Sequence, residues 1–320
     1  MTRVAVLGAG AWGSAIAAVL AARLDVTLWA RDPAQAESMA RLRRNERYLP
    51  GVEIPAAVKV SADFPQDADL MLAATPVAGL REIVARLSKN AALVWLCKGF
   101  EEGTGALPHQ VVEPVLARCG ALSGPSFAAE VARGLPCALT LAARDAGFAR
   151  EAAALLHGGR MRVYYSADLI GVEIGGAVKN VMAIAAGISD GLGLGSNARA
   201  ALITRGLAEI ARLGVAMGGS TETIFGLTGA GDLILTATGD LSRNRRVGLQ
   251  LARGVPLAKI LTDLGHVAEG VHSAREVAKL AQARQVDMPV SVAVNAVLQG
   301  KLTPKAAVEQ LLSRDPKQER

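Results

Sequence analysis

Short apolar runs alternate with segments of helical period through the first half of the chain. Arg3–Leu7 reads as a strand and Ala11–Arg23 as a helix, and Val26–Trp29 and Pro33–Arg43 repeat the pair. Val58–Val60 and Leu70–Ala74 predict strands, followed by a helix over Val77–Leu87. Leu93–Leu96, Ala121–Leu122, Ala138–Leu141 and Arg162–Tyr164 predict further strands, with helices Pro108–Ala117, Phe127–Arg133 and Ala146–Leu156 among them. Such alternation implies a mainly parallel sheet covered on both faces.

Past about Ser166 the period changes. Ala167–Ile188, Ala198–Met217, Arg243–Ala252, Leu257–Leu261, Ala268–Gln285, Ser291–Leu298 and Pro304–Leu312 are rich in Ala, Leu and Ile at helical spacing. Little there resembles a strand. The expected fold class is α/β: an N-terminal domain with a mainly parallel sheet over residues 1–166, then an all-α domain over 167–320.

Composition narrows the function classes. The 320 residues are 51% hydrophobic and 20% charged, which excludes a disordered chain. Three dispersed cysteines, Cys97, Cys119 and Cys137, offer no disulfide framework and point to a reduced cytoplasm. A mean hydropathy of +0.30 raises a membrane question, because Val4–Ala22 carries no charge. Its glycines and alanines favour a strand and helix of a globular fold, and no membrane span is expected. The net charge of +6 suits anionic ligands. Nucleic acid is not expected as a partner: aromatics make up only 3% and the basic clusters are short. A small phosphorylated ligand fits better. The apolar helices of the second half serve either a core or a homodimer interface, which sedimentation would decide.

Gly8-Ala9-Gly10-Ala11-Trp12-Gly13 is a G-x-G-x-x-G run between a strand and a helix, with a second strand beyond. In that setting the first glycine makes the tight turn. The second admits a pyrophosphate, and the third lets helix pack on strand. The helix start then offers free N–H groups and a positive dipole end to the phosphates. This Rossmann-like pattern also accounts for the uncharged start of the chain. After the second strand the first polar residue is Arg31, suited to a 2′-phosphate, and Asp32 follows at once. NADPH is favoured over NADH, with NAD still open.

Lys179 is the only charge between Glu173 and Asp190, in a helix lacking another polar stripe. Such an ammonium is either paired or lowered in pKa, and it can act as a general acid or base; the alternative is a snorkelling surface lysine. Asp232 follows three glycines in Gly226–Gly231 and is either a site carboxylate or an ordinary helix cap. Ser242 reads as an N-cap before Arg243, Asn244, Arg245 and Arg246, where basic residues in a first turn suit either a bound anion or a solvated turn. Lys98 and Gly124-Pro125-Ser126 follow strands, where open sheets bind ligands; plain turn chemistry is the alternative. The four histidines form no metal-ligand spacing, so no metal is expected.

In order along the chain, several segments together resemble the bacterial-type NAD(P)-dependent glycerol-3-phosphate dehydrogenase family. They are Gly8–Gly13, Cys97-Lys98-Gly99, Gly124–Ala128, Glu173–Asn180, Ala230–Leu233, Ser242-Arg243-Asn244 and Val267–Val271. The resemblance implies reversible reduction of dihydroxyacetone phosphate to sn-glycerol 3-phosphate, feeding glycerophospholipid synthesis. It implies Lys179 as the proton donor and acceptor. With Lys179 and Asp232, it implies Lys98, Gly124, Ser126, Ser242, Arg243 and Asn244 as the substrate set. Trp12, Arg31, Lys98, Ala128, Arg243, Val267 and Glu269 would contact the cofactor beside Gly8, Gly10, Ala11 and Gly13. Ala11 departs from the usual Ser or Thr, so one hydroxyl near the pyrophosphate is lost. The alternatives are another two-domain reductase, of the 3-hydroxyacid or 6-phosphogluconate dehydrogenase type, and a non-catalytic NAD(P) sensor.

Overall fold

Successive residues of the first strand face different cores. Val4 and Val6 join one buried apolar cluster, and Ala5 and Leu7 join another. This is the period-2 alternation of a strand buried on both faces, as parallel sheets require. In the computed structural model every residue is described except 266, 267, 316, 317, 319 and 320. The chain forms two units, Met1–Glu173 and Ile174–Arg320.

Among the described residues the first unit contains strands β1 (Arg3–Leu7), β2 (Asp25–Trp29), β3 (Arg44–Asn45), β4 (Leu49–Glu53) and β5 (Val58–Ser61). They are followed by β6 (Leu70–Ala73), β7 (Leu93–Trp95), β8 (Cys119–Ser123), β9 (Cys137–Ala142) and β10 (Met161–Ser166). Its helices are α1 (Ala11–Leu20), α2 (Pro33–Leu42), α3 (Leu80–Ala85), α4 (Pro108–Val112), α5 (Ala128–Ala132) and α6 (Ala146–Leu156). Eight strands form one sheet in the order β10-β9-β8-β7-β6-β1-β2-β5. Every pairing is parallel except β8 with β9. The chain winds outward from β1 in both directions, so the β1/β6 boundary is the topological switch point where such sheets bind ligands.

The alternation of elements agrees with the sequence reading, with local departures. The helix starting at Pro108 stops at Val112: Glu113 keeps helical backbone angles, but Pro114 has no N–H to carry the ladder further. The segment from Val77 begins as a 3-10 turn and ends as helix at Ala85. The antiparallel β3–β4 hairpin was not expected, and it places Leu49 and Val52 on Ala15 of α1.

The second unit is helical, as expected. Helix α7 (Leu169–Gly191) crosses the division between the units. It is long and apolar enough to span a membrane, yet 94% of its most apolar stretch is buried within the protein. Then come α8 (Gly195–Ala216), α9 (Thr221–Phe225), a π turn (Leu227–Gly231), α10 (Asp232–Thr238), α11 (Arg243–Ala252) and α12 (Leu257–Leu264). The last three are α13 (Glu269–Ala283), α14 (Pro289–Leu298) and α15 (Pro304–Leu312). Helices α7 and α11 meet glycine on glycine. A Cβ on Gly187 would lie 2.1 Å from the Arg245 carbonyl oxygen, and one on Gly248 would lie 2.1 Å from that of Ile184. Glu209 of α8, 1% exposed, accepts from the N–H groups of Val290 (2.6 Å) and Ser291 (3.0 Å), capping the first turn of α14. Burial raises the pKa of that carboxyl. The first turn of α7 is held in the first unit, where Glu173 accepts the His109 N–H at 2.9 Å and bonds the His109 ring. Burial pushes the Glu173 carboxyl up, against the opposing pull of His109.

Candidate active site

In the first unit the glycine-rich turn sits at the switch point. Gly8 has φ +121°, and a Cβ there would come 2.8 Å from the Ala74 carbonyl oxygen at the end of β6. A Cβ on Gly13 would come 1.9 Å from the Gly8 carbonyl oxygen. The fold itself therefore demands these two glycines. Gly10 is different. Its φ is −79°, any residue can adopt its backbone, and a Cβ there would meet nothing within 4 Å. The absence of a side chain leaves open space at the N-cap of α1, where no side chain caps the helix. Free N–H groups, a positive dipole end and this open cradle fit a dinucleotide pyrophosphate. Ala11, Trp12 and Ala128 come together where α1 packs on α5 beside Leu49 and Val52.

Beyond β2, Arg31 is exposed and lies 3.9 Å from Glu82. Asp32 is the N-cap of α2 and accepts the Ala34 N–H at 3.0 Å. Its carboxylate thus has a local task. Lys98, half-buried, donates to the Gly124 carbonyl at 3.3 Å, and Ser126 donates to the same oxygen at 3.1 Å. Gly124, at φ +140°, lies so close to β9 that a Cβ would be 2.9 Å from the Ala138 carbonyl oxygen. These three predicted residues therefore form one cluster, while Arg31 stands apart from it at the end of β2. Three buried polar atoms have no hydrogen-bond partner among the described residues: Thr75 Oγ1, Trp95 Nε1 and Ser123 Oγ. All lie at the carboxyl ends of neighbouring strands β6, β7 and β8.

In the second unit, Lys179 is 7% exposed and Asp232 is 2% exposed. Lys179 Nζ donates to Asp232 Oδ1 at 2.8 Å and to Thr236 Oγ1 at 2.8 Å; Thr236 donates in turn to Asp232 at 3.2 Å. Asp232 is the first residue of α10, and Gly231 occupies the N-cap position, so the carboxylate is turned to the lysine and not to capping. Glycines make this approach possible. Gly175, one turn before Lys179, packs on the π turn: a Cβ there would be 3.1 Å from the Thr228 carbonyl oxygen. A buried ion pair costs desolvation that can exceed its attraction, so the pair is weak as a source of stability.

A second set adjoins Lys179 along the chain. Asn180 accepts from Asn244 Nδ2 at 2.9 Å, and Asn244 Oδ1 accepts the Gly270 N–H at 3.0 Å. Helices α7, α11 and the start of α13, where half-buried Glu269 lies, are thereby tied through two amide side chains. Ser242 caps α11, accepting the Arg245 N–H at 3.2 Å. Arg245 is committed to Asp190 (2.7 Å) and Asp240 (2.9 Å), while exposed Arg243 takes part in neither pair. Val267 lies outside the described residues.

Thr236 and Asn180 escaped the sequence reading as site residues. Thr236 stands four residues after Asp232, so an Asp-x-x-x-Thr pair on one helix face was the available signal. Asn180 directly follows Lys179.

A family model for the N-terminus of NAD-dependent glycerol-3-phosphate dehydrogenase matches residues 3–149, and one for its C-terminus matches 168–309. A glycerol-3-phosphate dehydrogenase (NAD(P)+) of Aromatoleum aromaticum is 59% identical over 99% of this chain and 100% of its own. That of Dechloromonas aromatica is 57% identical over 99% of each chain. The solved glycerol-3-phosphate dehydrogenase of Coxiella burnetii superposes with a TM-score of 0.92 at 41% identity, covering 98% of this chain and 99% of its own. With both halves matched in order, the chain belongs to the NAD-dependent glycerol-3-phosphate dehydrogenase family.

Proposed function

We propose that the protein reduces dihydroxyacetone phosphate reversibly to sn-glycerol 3-phosphate with NADPH or NADH, supplying glycerophospholipid synthesis. The observation that carries this reading is the buried Lys179–Asp232–Thr236 cluster, which holds an ammonium ready beside a carboxylate. Residues 1–166 serve the dinucleotide and lend Lys98, Gly124 and Ser126 to the substrate, and residues 167–320 serve substrate and proton transfer. The cytoplasm is the proposed compartment, where Cys97, Cys119 and Cys137, none of them in a disulfide, stay reduced.

A dihydronicotinamide whose dinucleotide is held at Gly8–Gly13 would supply the hydride that the ketone carbon accepts. Negative charge then develops on the ketone oxygen, and Lys179 gives that oxygen its proton from Nζ. Asp232 balances the ammonium, and Thr236 fixes its direction. In the reverse reaction the lysine takes the hydroxyl proton back. Lys98, Gly124, Ser126, Ser242 and Asn244 are assigned to the substrate. Arg243, at the start of α11, is assigned to its phosphate, where a fork of donors and the helix dipole act together.

The direct test is loss of dihydronicotinamide absorbance with dihydroxyacetone phosphate and each reduced cofactor, against 3-keto acids as controls. Turnover with the phosphate ester alone is the expected result. NADPH should be preferred, and Arg31→Ala should raise its KM about tenfold while leaving that of NADH near its starting value. A native preference for NADH would remove the 2′-phosphate role of Arg31. Arg243→Ala should raise the KM for dihydroxyacetone phosphate by about 10- to 100-fold, the loss of a charge-assisted contact of roughly 1.5–3 kcal/mol. An unchanged KM would remove the phosphate assignment.

A further inference from the structure

Two amide side chains converge on one carbonyl of the glycine-rich turn. Asn45 Nδ2 donates to the Ala9 carbonyl oxygen at 2.9 Å, and Gln35 Nε2 donates to the same oxygen at 2.9 Å. Asn45 also donates to Ser14 Oγ at 2.8 Å and accepts the Tyr48 N–H at 3.2 Å. Asn45 is 2% exposed and Ser14 is fully buried. The asparagine has thus used both donors and its acceptor in a buried site.

Its placement is specific. Asn45 ends β3, where the β3–β4 register shifts between Arg44 and Asn45. A bulge of this kind re-aims a side chain. Here the amide is delivered to the turn between β1 and α1.

The consequence follows from peptide geometry. In a planar trans peptide the N–H of one residue points opposite to the carbonyl of the residue before it. Gripping the Ala9 carbonyl therefore aims the Gly10 N–H away from Asn45 and Gln35. The Ser14 contact ties the first turn of α1 to the same side chain, so turn and helix start are held as one body. We propose that Asn45, supported by Gln35, is a positioning residue for the dinucleotide, setting the orientation of the Ala9–Gly10 peptide that faces the pyrophosphate. This rests on the assignment of Gly8–Gly13 to the dinucleotide. Neither side chain touches the reacting atoms, so the effect falls on cofactor affinity and spares the chemical step.

The test uses the full chain, with NADPH titrated by calorimetry and steady-state kinetics run beside it. Asn45→Ala should weaken NADPH binding about 10- to 30-fold and Gln35→Ala about fivefold, with kcat at saturating NADPH and the KM for dihydroxyacetone phosphate within about twofold of native. Asn45→Asp should be worse than alanine, because it sets a carboxylate oxygen against the Ala9 carbonyl. If the Asn45 variants do not fold, the half-exposed Gln35 position carries the test by itself. Native NADPH affinity in the folded variants, or kcat and both KM values deteriorating together, overturns the proposal. A native chain that binds no NADPH overturns the dinucleotide assignment and the proposal with it.

Discussion

Lys179→Ala should lower kcat by about 10²- to 10⁴-fold, the usual contribution of a positioned acid or base, while NADPH affinity stays near native. Stability should fall as well. The substitution leaves Asp232, 2% exposed, as a buried carboxylate without its ammonium. Breaking a buried pair from one side costs about 3–5 kcal/mol. A lower melting temperature by itself would therefore leave the cause of the lost activity open. The double exchange Lys179→Met with Asp232→Leu separates the two effects. It replaces both charges by apolar side chains of similar volume, an exchange that is often neutral for stability. The double variant should regain most of the melting temperature and remain inactive. Substantial turnover in either variant would remove the proton-transfer role of Lys179.

The buried, paired state of Lys179 was legible in the sequence because it is one charge in a long apolar helix, where solvation offers no simple account of it. Asp232 was half legible: three glycines before a carboxylate suggested either a site or a cap, and the Gly231 N-cap settles the geometry. Thr236 was hidden because Leu233-Ile234-Leu235 reads as a bare apolar run, too short to show a period. The strands of the sheet were legible for the opposite reason: burial on both faces leaves continuous apolar runs between turn residues. The β3–β4 hairpin was not, since Arg44–Glu53 is mostly polar and touches the core chiefly through Leu49 and Val52. A segment so polar looks like a loop until its contacts with α1 are seen. Asn45 was hidden with it, because nothing in the sequence near Asn45 points back to Ala9.

Gly10→Val should abolish most NADPH affinity without harming the fold. The two halves of that expectation come from the same geometry. At φ −79° and ψ −173° valine adopts the backbone without strain, and a Cβ would find no atom within 4 Å. The protein itself therefore has no use for glycine at this position, and the melting temperature should stay within a few degrees of native. Its neighbours behave otherwise. Gly13→Ala would drive a Cβ to 1.9 Å from the Gly8 carbonyl oxygen, and Gly8→Ala would combine φ +121° with a 2.8 Å approach to the Ala74 carbonyl oxygen. Those variants should lose the turn, and with it both stability and binding. Of the three glycines only Gly10 opens on free space, the space proposed for the pyrophosphate. There the isopropyl group occupies the volume through which the pyrophosphate reaches the first turn of α1, and the KM for NADPH should rise by at least about 100-fold, or ~2.7 kcal/mol. The comparison is decisive in one direction: a Gly10→Val protein that melts like native and binds NADPH like native would mean that the turn closes the sheet but does not hold the dinucleotide.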